Sequence, residues 1–342
     1  MDSEIETERP EAPRTPRLTI AAIIPLYNGE AFIGEALDSV LAQTLPPDEI
    51  IVVDDGSKDR GPEIVREYAG KHSSIRLLQK PNGGQSSARN LGIRESNSDL
   101  IAFLDQDDAW HKRHLSVLLE PFVTPGYDRP GLSYGNLDQV DRDGRTVTLS
   151  VLDGVPSPHP KTSRFACLSQ DMFILPSASL ASREAIVEAG YFDEELSGYE
   201  DDDLFSRMFT RGYQLVFINR PVTRWRIYPS SSSFSRRMAK SRMTYFNKLV
   251  ATYPDEPEIG NYWVRDVIAP RFLGNLVIEF MRFQGLGAAG GINQTLADIG
   301  HVKSFLRRRK RRKVSMLLPA ASAMTSLGMT GLARSLLRRM LK

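Results

Sequence analysis

The stretch LIAFLDQDDAW, residues 100–110, places a short apolar run directly before three aspartates. An apolar run without polar alternation is typical of a strand that is buried on both faces of a parallel sheet. The same arrangement recurs in LTIAAIIPLYN (18–28) and in EIIVVDDGS (49–57), where polar residues again follow the apolar run. This recurring pattern predicts parallel strands whose carboxyl ends carry polar side chains.

Segments with a helical spacing of apolar residues separate these strands. They cover Glu30–Gln43, Asp59–Gly70 and Ser86–Ser96, and a further strand is predicted at Ile75–Leu78. Strands that alternate with helices in this rhythm form βαβ units, which build a parallel sheet flanked by helices. Ligands bind at the carboxyl ends of the strands in such sheets, so we expect a site where the polar residues meet.

After Trp110 the pattern is mixed, and from Met238 onward it is helical. The sequence therefore predicts an α/β part followed by a C-terminal helical region. The elements predicted between these two points are the strands Gly131–Val140, Thr146–Val151 and Gln214–Ile218, the apolar stretch Phe173–Leu180, and the helices Arg183–Ala189 and Asp203–Arg211.

Composition limits the class of protein. With 342 residues, of which 41% are hydrophobic and 25% charged, the chain has the balance of a soluble globular protein, and its length suggests about two domains. The net charge is +2, but the first eleven residues hold five acidic groups and the last forty are strongly basic. Cys167 is the single cysteine, which excludes an internal disulfide and a cysteine-based metal site. We interpret it as a small buried hydrophobe.

The sequence contains no segment whose composition is typical of a membrane span. Residues 1–17 are acidic and proline-rich, lack the basic and apolar regions of a signal peptide, and are predicted to form a disordered tail. The most apolar candidate, Val314–Ala333, is interrupted by Pro319, Gly328 and Gly331, whereas a span needs about 20 mostly apolar residues.

Asp105 and Asp107 follow the strand predicted at Leu100–Leu104. Alternate side chains of an extended segment point the same way, so the two carboxylates repel each other unless a cation lies between them. Carboxylates and phosphates are the ligands that Mg²⁺ prefers, and one hypothesis is a metal that bridges the aspartates to a diphosphate. The alternative is an acidic turn in which Asp107 or Asp108 caps the next helix.

Two other acidic clusters leave alternatives open. Asp54 and Asp55 either form a turn with Asx hydrogen bonds before a helix or bind the base and ribose of a nucleotide. The run Glu200–Asp203 opens a predicted helix, whose dipole stabilises one or two acids. Four acids in succession are harder to explain by the dipole alone, and an ionised carboxylate held here could act as a general base toward a hydroxyl.

Taken together, these motifs resemble glycosyltransferase family 2, over roughly residues 18–230. Six stretches occur in the order and spacing of that family. They are IIPLYNGEAFIGEALDSVLAQT (23–44), EIIVVDDGSKD (49–59), NGGQSSARNLGI (82–93), LIAFLDQDDAW (100–110), GYFDEEL (190–196) and GYEDDDLFSRMFTRGY (198–213). The resemblance implies a GT-A fold, a Rossmann-like mixed sheet flanked by helices, here with a C-terminal helical region.

The resemblance also implies roles for individual residues. Asp105 and Asp107 are expected to hold Mg²⁺ or Mn²⁺ on the diphosphate of a nucleotide sugar. Asp201 looks like the catalytic base, and Glu200 is expected to orient it. The residues expected to bind the nucleotide sugar are Pro25, Tyr27, Asn28, Glu30, Asp54, Asp55, Gly84, Arg89 and Asp105.

One departure from the family pattern concerns the metal. Family members often place a histidine shortly after the Glu-Asp helix, but here the segment WRIY (225–228) puts Tyr228 at that place. The alternatives are that Tyr228 replaces a metal-ligating histidine, or that Arg224, Arg226 or the Ser230–Ser233 run helps to hold the diphosphate.

The densest run of positive charge is KSFLRRRKRRK (303–313), which abuts the weakly apolar stretch up to Ala333. Basic segments next to apolar ones lie in the membrane interface. We therefore favour contact of residues 303–342 with an anionic membrane surface. A solvated helix face and nucleic-acid binding through phosphates are the alternatives.

The sequence thus predicts an inverting, metal-dependent glycosyltransferase of the hexosyl- or hexosaminyl-transferase class. We expect a UDP-sugar as donor and a glycan or lipid-linked hydroxyl as acceptor, in surface polysaccharide or glycolipid synthesis at the cytoplasmic face of the cell membrane. The alternative is a non-catalytic module that binds a nucleotide sugar or glycan. The expected divisions are a tail at 1–17, a catalytic domain at 18–235, a helical extension at 236–302 and a basic amphipathic segment at 303–342.

Overall fold

The computed structural model of the protein describes residues 17–228, 236–285 and 289–341. All but the last residue of the predicted tail, and the Ser230–Ser233 run, lie outside the described residues. The strands are β1 (Ile20–Leu26), β2 (Glu49–Asp54), β3 (Ile75–Gln79), β4 (Leu100–Phe103), β5 (Ala109–Trp110), β6 (Pro130–Val140), β7 (Thr146–Thr148), β8 (Ser179–Ser182) and β9 (Gln214–Arg226). The helices are α1 (Ile33–Leu41), α2 (Gly61–Ala69), α3 (Gln85–Glu95), α4 (His114–Leu118), α5 (Glu120–Val123), α6 (Arg164–Leu168), α7 (Arg183–Ala189), α8 (Glu200–Thr210), α9 (Arg236–Thr252), α10 (Ala269–Gly285), α11 (Ala289–Val302), α12 (Arg308–Ser326) and α13 (Thr330–Leu341).

One mixed sheet organises the first two thirds of the chain. Its strand order is β3-β2-β1-β4-β8-β6-β9-β5, with β7 paired to β6. The first four strands are parallel, as the sequence predicts, whereas β8 runs antiparallel to both of its neighbours. This mixed sheet with flanking helices confirms the expected fold class.

The register of the parallel strands brings the polar clusters together. Leu26 pairs with Asp54 and Ile23 pairs with Phe103. The residues that follow β1, β2 and β4 therefore leave the sheet at one edge. Because all seven residues of β1 are buried, with helices covering both faces, the strands are held in this register by the core on each side.

Strand β9 is longer than predicted and continues past Ile218 to Arg226. The sequence Asn219-Arg220-Pro221 hides this continuation, because it interrupts the apolar pattern. The register against β6 shifts on both sides of Asn136, and such irregularities accommodate a proline within a strand. The extension carries the chain to Tyr228 at the same edge of the sheet. Helix α8 begins at Glu200, the first residue of the acidic run that is expected to open it.

The helices after residue 236 have a hydrophobic core of their own. Aromatic and aliphatic side chains of α9 and α10, such as Tyr245, Phe246 and Phe272, are buried in it. Leu196 and Tyr199, from the segment before α8, belong to the same cluster. The helical region therefore packs directly against the start of α8. In the ranges that the structure describes, no helix is both long enough and apolar enough to cross a membrane.

Candidate active site

Two cavities meet at the carboxyl ends of the parallel strands. The cavity beside the end of β1, here called the β1 cavity, is lined by residues such as Tyr27 and Asn28 and has a volume of about 380 Å³. The cavity beside the start of α8, here called the α8 cavity, is lined by residues such as Glu200 and Asp201 and has a volume of about 280 Å³. Gln85 and Asp105 line both, so the cavities join at the end of β4. The predicted residues that line the β1 cavity are Pro25, Tyr27, Asn28, Asp55, Gly84, Asp105 and Asp107. Those that line the α8 cavity are Arg89, Asp105, Glu200 and Asp201.

Gln106, the residue between the two aspartates of the D-x-D pair, fixes the loop after β1. Its Oε1 accepts a hydrogen bond from the Tyr27 amide at 2.7 Å, and its Nε2 donates to the Tyr27 carbonyl at 3.1 Å. A Cβ atom at Gly29 would lie 2.5 Å from Gln106 Oε1. A side chain at position 29 would therefore displace Gln106 where this loop passes the D-x-D segment, a contact that the sequence does not reveal.

Asp54 and Asp55 both hold loops in place. Asp54 accepts from the Ser57 amide at 2.9 Å and from the Gln79 side chain at 3.0 Å, and it does not line either cavity. Asp55 accepts from Lys80 Nζ at 2.7 Å and from the amides of Gly83 and Gly84 at 2.8 and 2.7 Å. Asp55 thus shapes the wall of the β1 cavity through the loop that contains Gly84.

Asn28 and Glu30 tie the loop after β1 to the loop after β2. Asn28 Oδ1 accepts from the Lys58 amide at 2.8 Å, and Glu30 Oε2 accepts from the Arg60 amide at 3.0 Å. Asn28 also lines the β1 cavity, but Glu30 does not. The described contacts of Glu30 are therefore contacts between loops.

Asp107 and Tyr228 form a pair in the β1 cavity. The Tyr228 hydroxyl donates to Asp107 Oδ2 at 2.9 Å. Burial and the charge of Asp105 raise the pKa of Asp107, which means that a nearby cation would be favourable. Burial and the adjacent Asp107 also raise the pKa of Tyr228. Tyr228 therefore stays a neutral phenol that orients Asp107.

Asp108 does not cap a helix. It accepts a hydrogen bond from the Arg226 amide at 2.8 Å and so anchors the end of β9. Two of the three arginines of that strand pair with Glu35 of α1, Arg224 at 2.7 Å and Arg226 at 2.5 Å. Their guanidinium groups thus connect β9 to α1 and already have a carboxylate partner.

Arg89 connects the two cavities. Its side chain is fully buried and reaches Asp105 at 2.6 Å and Glu200 at 3.0 Å. Burial lowers the pKa of Arg89, but the charges of Asp105 and Glu200 outweigh this and the pKa is raised. One guanidinium therefore fixes the D-x-D segment relative to the first residue of α8.

The four acids that open α8 differ in their partners. Besides Glu200, which binds Arg89, Asp202 pairs with Arg271 at 2.5 Å. Asp203 pairs with Arg207 of its own helix at 2.7 Å and with Lys248 of α9 at 3.0 Å. Within the described parts of the chain, Asp201 forms no salt bridge. Three acids are thus neutralised, and the fourth faces the α8 cavity.

The environment of Asp201 favours its protonated form. Burial raises the pKa of Asp201 well above the ordinary value, and the charges of Glu200 and Asp202 raise it further. A carboxylate with a raised pKa is a stronger base, and enzymes tune general bases in this way. The arrangement can therefore take a proton from a hydroxyl bound in the α8 cavity.

Sequence reasoning missed the contribution of the helical region. Arg271 of α10 is buried and binds Asp202 together with Asp171, which lines the α8 cavity. Arg242 of α9 donates to the hydroxyl of Tyr199 at 3.1 Å, next to the start of α8. These basic residues lie more than forty positions from their partners and follow no local motif. The sequence does offer one signal. Four successive acids open α8, and balancing their charge requires basic side chains from other parts of the chain.

The fit of a divalent metal can be judged from the donor set. Among the described residues, no group of three or more histidine, cysteine, aspartate or glutamate side chains could hold a metal ion. Mg²⁺ commonly uses one or two carboxylates and takes its other ligands from substrate phosphates and water. Asp105 and Asp107 line the same cavity and supply such a pair, so they fit a metal that arrives with a diphosphate.

Cys167 is buried, and burial raises the pKa of its thiol to about 12. A thiol with such a pKa stays protonated at neutral pH and is not a nucleophile. This agrees with its interpretation as a small buried hydrophobe.

Comparisons with known proteins identify the family of part of the chain. Residues 21–188 match the family model described as Glycosyl transferase family 2. The chain is 48% identical over 89 residues to the uncharacterized glycosyltransferase EpsJ of Bacillus subtilis, an alignment that covers 26% of each protein. It is 30% identical over 190 residues to the uncharacterized glycosyltransferase RC0461 of Rickettsia conorii, covering 56% of this chain and 31% of that protein. The alignments thus span about a quarter to a third of these relatives.

Solved structures share the fold over nearly the whole chain. S. aureus TarS 1-349 in complex with UDP-GlcNAc has a TM-score of 0.60 at 19% identity, and covers 94% of this chain and 91% of TarS 1-349. The mannosyltransferase PcManGT of Pyrobaculum calidifontis, in complex with GDP-Man and Mn²⁺, has a TM-score of 0.57 at 18% identity, with 95% and 86% covered. Residues 21–188 of this chain therefore belong to glycosyl transferase family 2, and the related glycosyltransferases and the GT-A fold agree with that family.

Proposed function

We propose that the protein transfers a sugar from a nucleotide-diphosphate sugar to an acceptor hydroxyl, with inversion at the anomeric carbon. One observation carries the proposal. Asp201 is the single first-turn acid of α8 without a salt bridge in the described chain. It lines the α8 cavity, which joins the β1 cavity at Asp105. A proton acceptor and a diphosphate-binding pair thus face one connected space.

The chemistry follows from this placement. Asp201 takes the proton of an acceptor hydroxyl in the α8 cavity, and the acceptor oxygen attacks the anomeric carbon from the face opposite the diphosphate. The bond to the diphosphate breaks as the new glycosidic bond forms, so a single displacement inverts the configuration. Asp105 and Asp107 would hold Mg²⁺ or Mn²⁺, which when bound neutralises charge on the leaving diphosphate.

The remaining residues position these groups. Arg89 keeps Asp105 and Glu200 at a fixed separation, because its guanidinium binds both. Tyr228 orients Asp107 through its hydroxyl. We assign the nucleotide to the β1 cavity, where Tyr27, Asn28 and the loop at Gly84 form the walls.

The substrates and the place of action are parts of the same proposal. A UDP-sugar is the proposed donor, in line with UDP-GlcNAc in the TarS complex, while the GDP-Man complex of PcManGT makes GDP-sugars the next class to test. We propose a glycan or lipid-linked acceptor in surface polysaccharide or glycolipid synthesis, with the protein peripheral at the inner face of the cell membrane. In this proposal residues 18–235 form the catalytic domain, 236–302 the helical extension and 303–342 the membrane-facing segment.

A donor screen tests the proposal. Purified protein is incubated with Mn²⁺ and a panel of UDP-, GDP- and dTDP-sugars, and release of nucleoside diphosphate is measured. We expect slow hydrolysis of one donor, reduced at least about 100-fold in Asp107→Ala and by chelation of the metal, because a bound metal contributes several kcal/mol of charge stabilisation.

The exposed acid of a surface turn offers a matched control for the donor screen. The Asp143 side chain is 65% exposed and pairs with Arg145, so Asp143→Ala should leave turnover unchanged. Binding of a donor without turnover, in the presence of candidate acceptors, would support a non-catalytic binding module instead. Absence of binding by every nucleotide would overturn the assignment of the β1 cavity.

Tyr228 offers a second test of the metal site. In Tyr228→Phe, Asp107 loses its hydrogen-bond donor and its carboxylate becomes harder to ionise. We expect about tenfold weaker Mn²⁺ binding in the presence of nucleoside diphosphate, the size of effect seen when partners of ligating groups are removed. Calorimetric titration with Mn²⁺ measures it. In Tyr228→His an imidazole can serve as a third ligand, and we expect binding at least as tight as in the wild type. Equal affinity in wild type and Tyr228→Phe would contradict the assignment.

A further inference from the structure

The outward side of α12 carries one continuous surface, here called the α12 outer face. It consists of Arg308, Arg312, Met316, Pro319, Ala323 and Leu327, all of them exposed. At about 100° per residue these positions fall within roughly 100° of the helix circumference. Arg308 and Arg312 therefore occupy the start of a stripe whose remainder is apolar except for the exposed Ser326.

The same helix buries a different side. Val314 and Ala321 of α12 are fully buried in the core of the helical region, together with Leu337 of α13. On the outer face, by contrast, Met316 is 69% and Leu327 is 74% exposed. The inner side of α12 thus packs into the core of this region. Packing in that core does not explain the large apolar side chains on the outer side.

The turn after α12 and the first turn of α13 each add an exposed apolar side chain near the end of this surface. Met329 is 45% and Leu332 is 51% exposed, close to Leu327 in the chain. Large apolar side chains that are exposed singly are normal, but a contiguous group next to charged residues marks an interaction site.

The helices α12 and α13 pack as an antiparallel hairpin, which places the basic start of α12 beside the basic end of α13. Lys310 Nζ donates to the carbonyl of Leu341 at 3.1 Å, so the end of α13 lies beside the start of α12. Arg338 and Arg339, in the last turn of α13, therefore lie near the basic start of α12. The chain contains no acidic residue after Asp298, and this end of the hairpin is strongly positive.

We propose that the α12 outer face docks onto a bilayer that contains anionic lipid, with α12 lying flat in the interface. Arg308 and Arg312 contact lipid phosphates, while Met316, Leu327 and Leu332 reach the boundary of the acyl chains. Helices with a basic part and an apolar part bind membranes in this way, and their affinity rises with anionic lipid. The inference deepens the proposed function, because it rests on that function for a lipid-linked acceptor at the same surface.

The side chains favour lipid over nucleic acid as the occupant. Proteins that bind single strands stack bases on aromatic side chains, but residues 306–342 contain no phenylalanine, tyrosine or tryptophan. A phosphate backbone alone would also leave the exposed apolar part of the stripe without a role. A bilayer interface offers both phosphates and an apolar layer.

Flotation with vesicles tests the inference on the full chain. Vesicles of phosphatidylcholine with and without phosphatidylglycerol are compared, for the wild type, Arg308→Glu/Arg312→Glu and Met316→Ser/Leu327→Ser. We expect the wild type to bind only vesicles with phosphatidylglycerol, and each double variant to lose about tenfold or more in partitioning. The charge variant should also show a weaker salt dependence than the wild type, since each basic residue near the surface contributes comparably.

Leu149→Ser is the matched control, because Leu149 is 69% exposed and lies on the loop after β7. It should bind vesicles as the wild type does, and all variants should keep the wild-type melting temperature and the same donor hydrolysis. Donor hydrolysis without vesicle binding overturns the docking surface and leaves the proposed function standing. Vesicle binding that both double variants retain, or preferential binding of a single-stranded oligonucleotide, also overturns it.

Discussion

Asp201→Asn is expected to reduce sugar transfer by about 10³-fold while donor binding is unchanged. The expected size is that of a general base in its reaction, about 10²–10⁴-fold. Asn keeps the shape of the side chain and its contact with the Asp202 amide, so the loss reports the missing proton acceptor. Transfer to an acceptor and donor affinity are measured side by side. A variant that retains wild-type turnover would remove Asp201 from the mechanism.

The pH dependence of transfer provides a separate check. Burial, followed by the charges of Glu200 and Asp202, raises the pKa of Asp201. Because the base must be ionised, turnover should fall as the pH drops through this raised pKa, well above the range of an ordinary aspartate. In Asp202→Asn the neighbouring charge is gone, and the acidic limb of the profile should move to lower pH.

Asp201→Asn should also stabilise the fold. When the pKa of a carboxyl is higher in the folded than in the unfolded protein, the free energy of unfolding falls as the pH rises from the unfolded pKa to the folded pKa. Asp201→Asn removes that loss, so we expect a melting temperature higher by about 2 °C at neutral pH, the shift that about 1 kcal/mol produces in a chain of this size. At a pH below the unfolded value the difference should vanish. A lower melting temperature at neutral pH would contradict the assigned environment.

Arg89→Leu is expected to destabilise the protein by about 3–5 kcal/mol, the cost of breaking a buried ion pair by removing one partner. The change leaves Asp105 and Glu200 without their shared cation in the interior. Both cavities depend on these two residues, so donor binding and transfer should fall together. Urea unfolding and donor titration measure the two effects.

A half-exposed pair serves as the control for Arg89. Arg66 binds Glu63 at 3.1 Å, but the two side chains are 51% and 55% exposed, so Arg66→Leu should cost at most about 1 kcal/mol. Arg89→Lys keeps the charge but cannot bridge two carboxylates in the same fork geometry. We therefore expect it to fold, with stability and donor binding between those of the wild type and Arg89→Leu. Equal stability of the Arg89 and Arg66 variants would contradict the bridging role.

Local patterns predicted the elements that build the first half of the sheet. The strands β1 to β4 and the helices between them follow from apolar runs and helical spacing, because each element buries its own side chains against its neighbours in sequence. The same patterns did not reveal the second half of β9, where Pro221 interrupts the alternation, or the short strand β8 at the end of Phe173–Leu180. Pairing with β6 decides both, and pairing partners are distant in sequence.

The sequence by itself determined the fold class, the edge of the sheet at which polar residues collect, and the acids that gather there, since strand ends and acidic runs are local features. The tertiary structure alone decided which acids are neutralised. Arg89, Arg271 and Lys248 reach Glu200, Asp202 and Asp203 from other helices, and Asp201 is left with a raised pKa. Electrostatic interactions act through space rather than along the chain, so the difference between a structural and a reactive carboxylate exists only once the chain has folded.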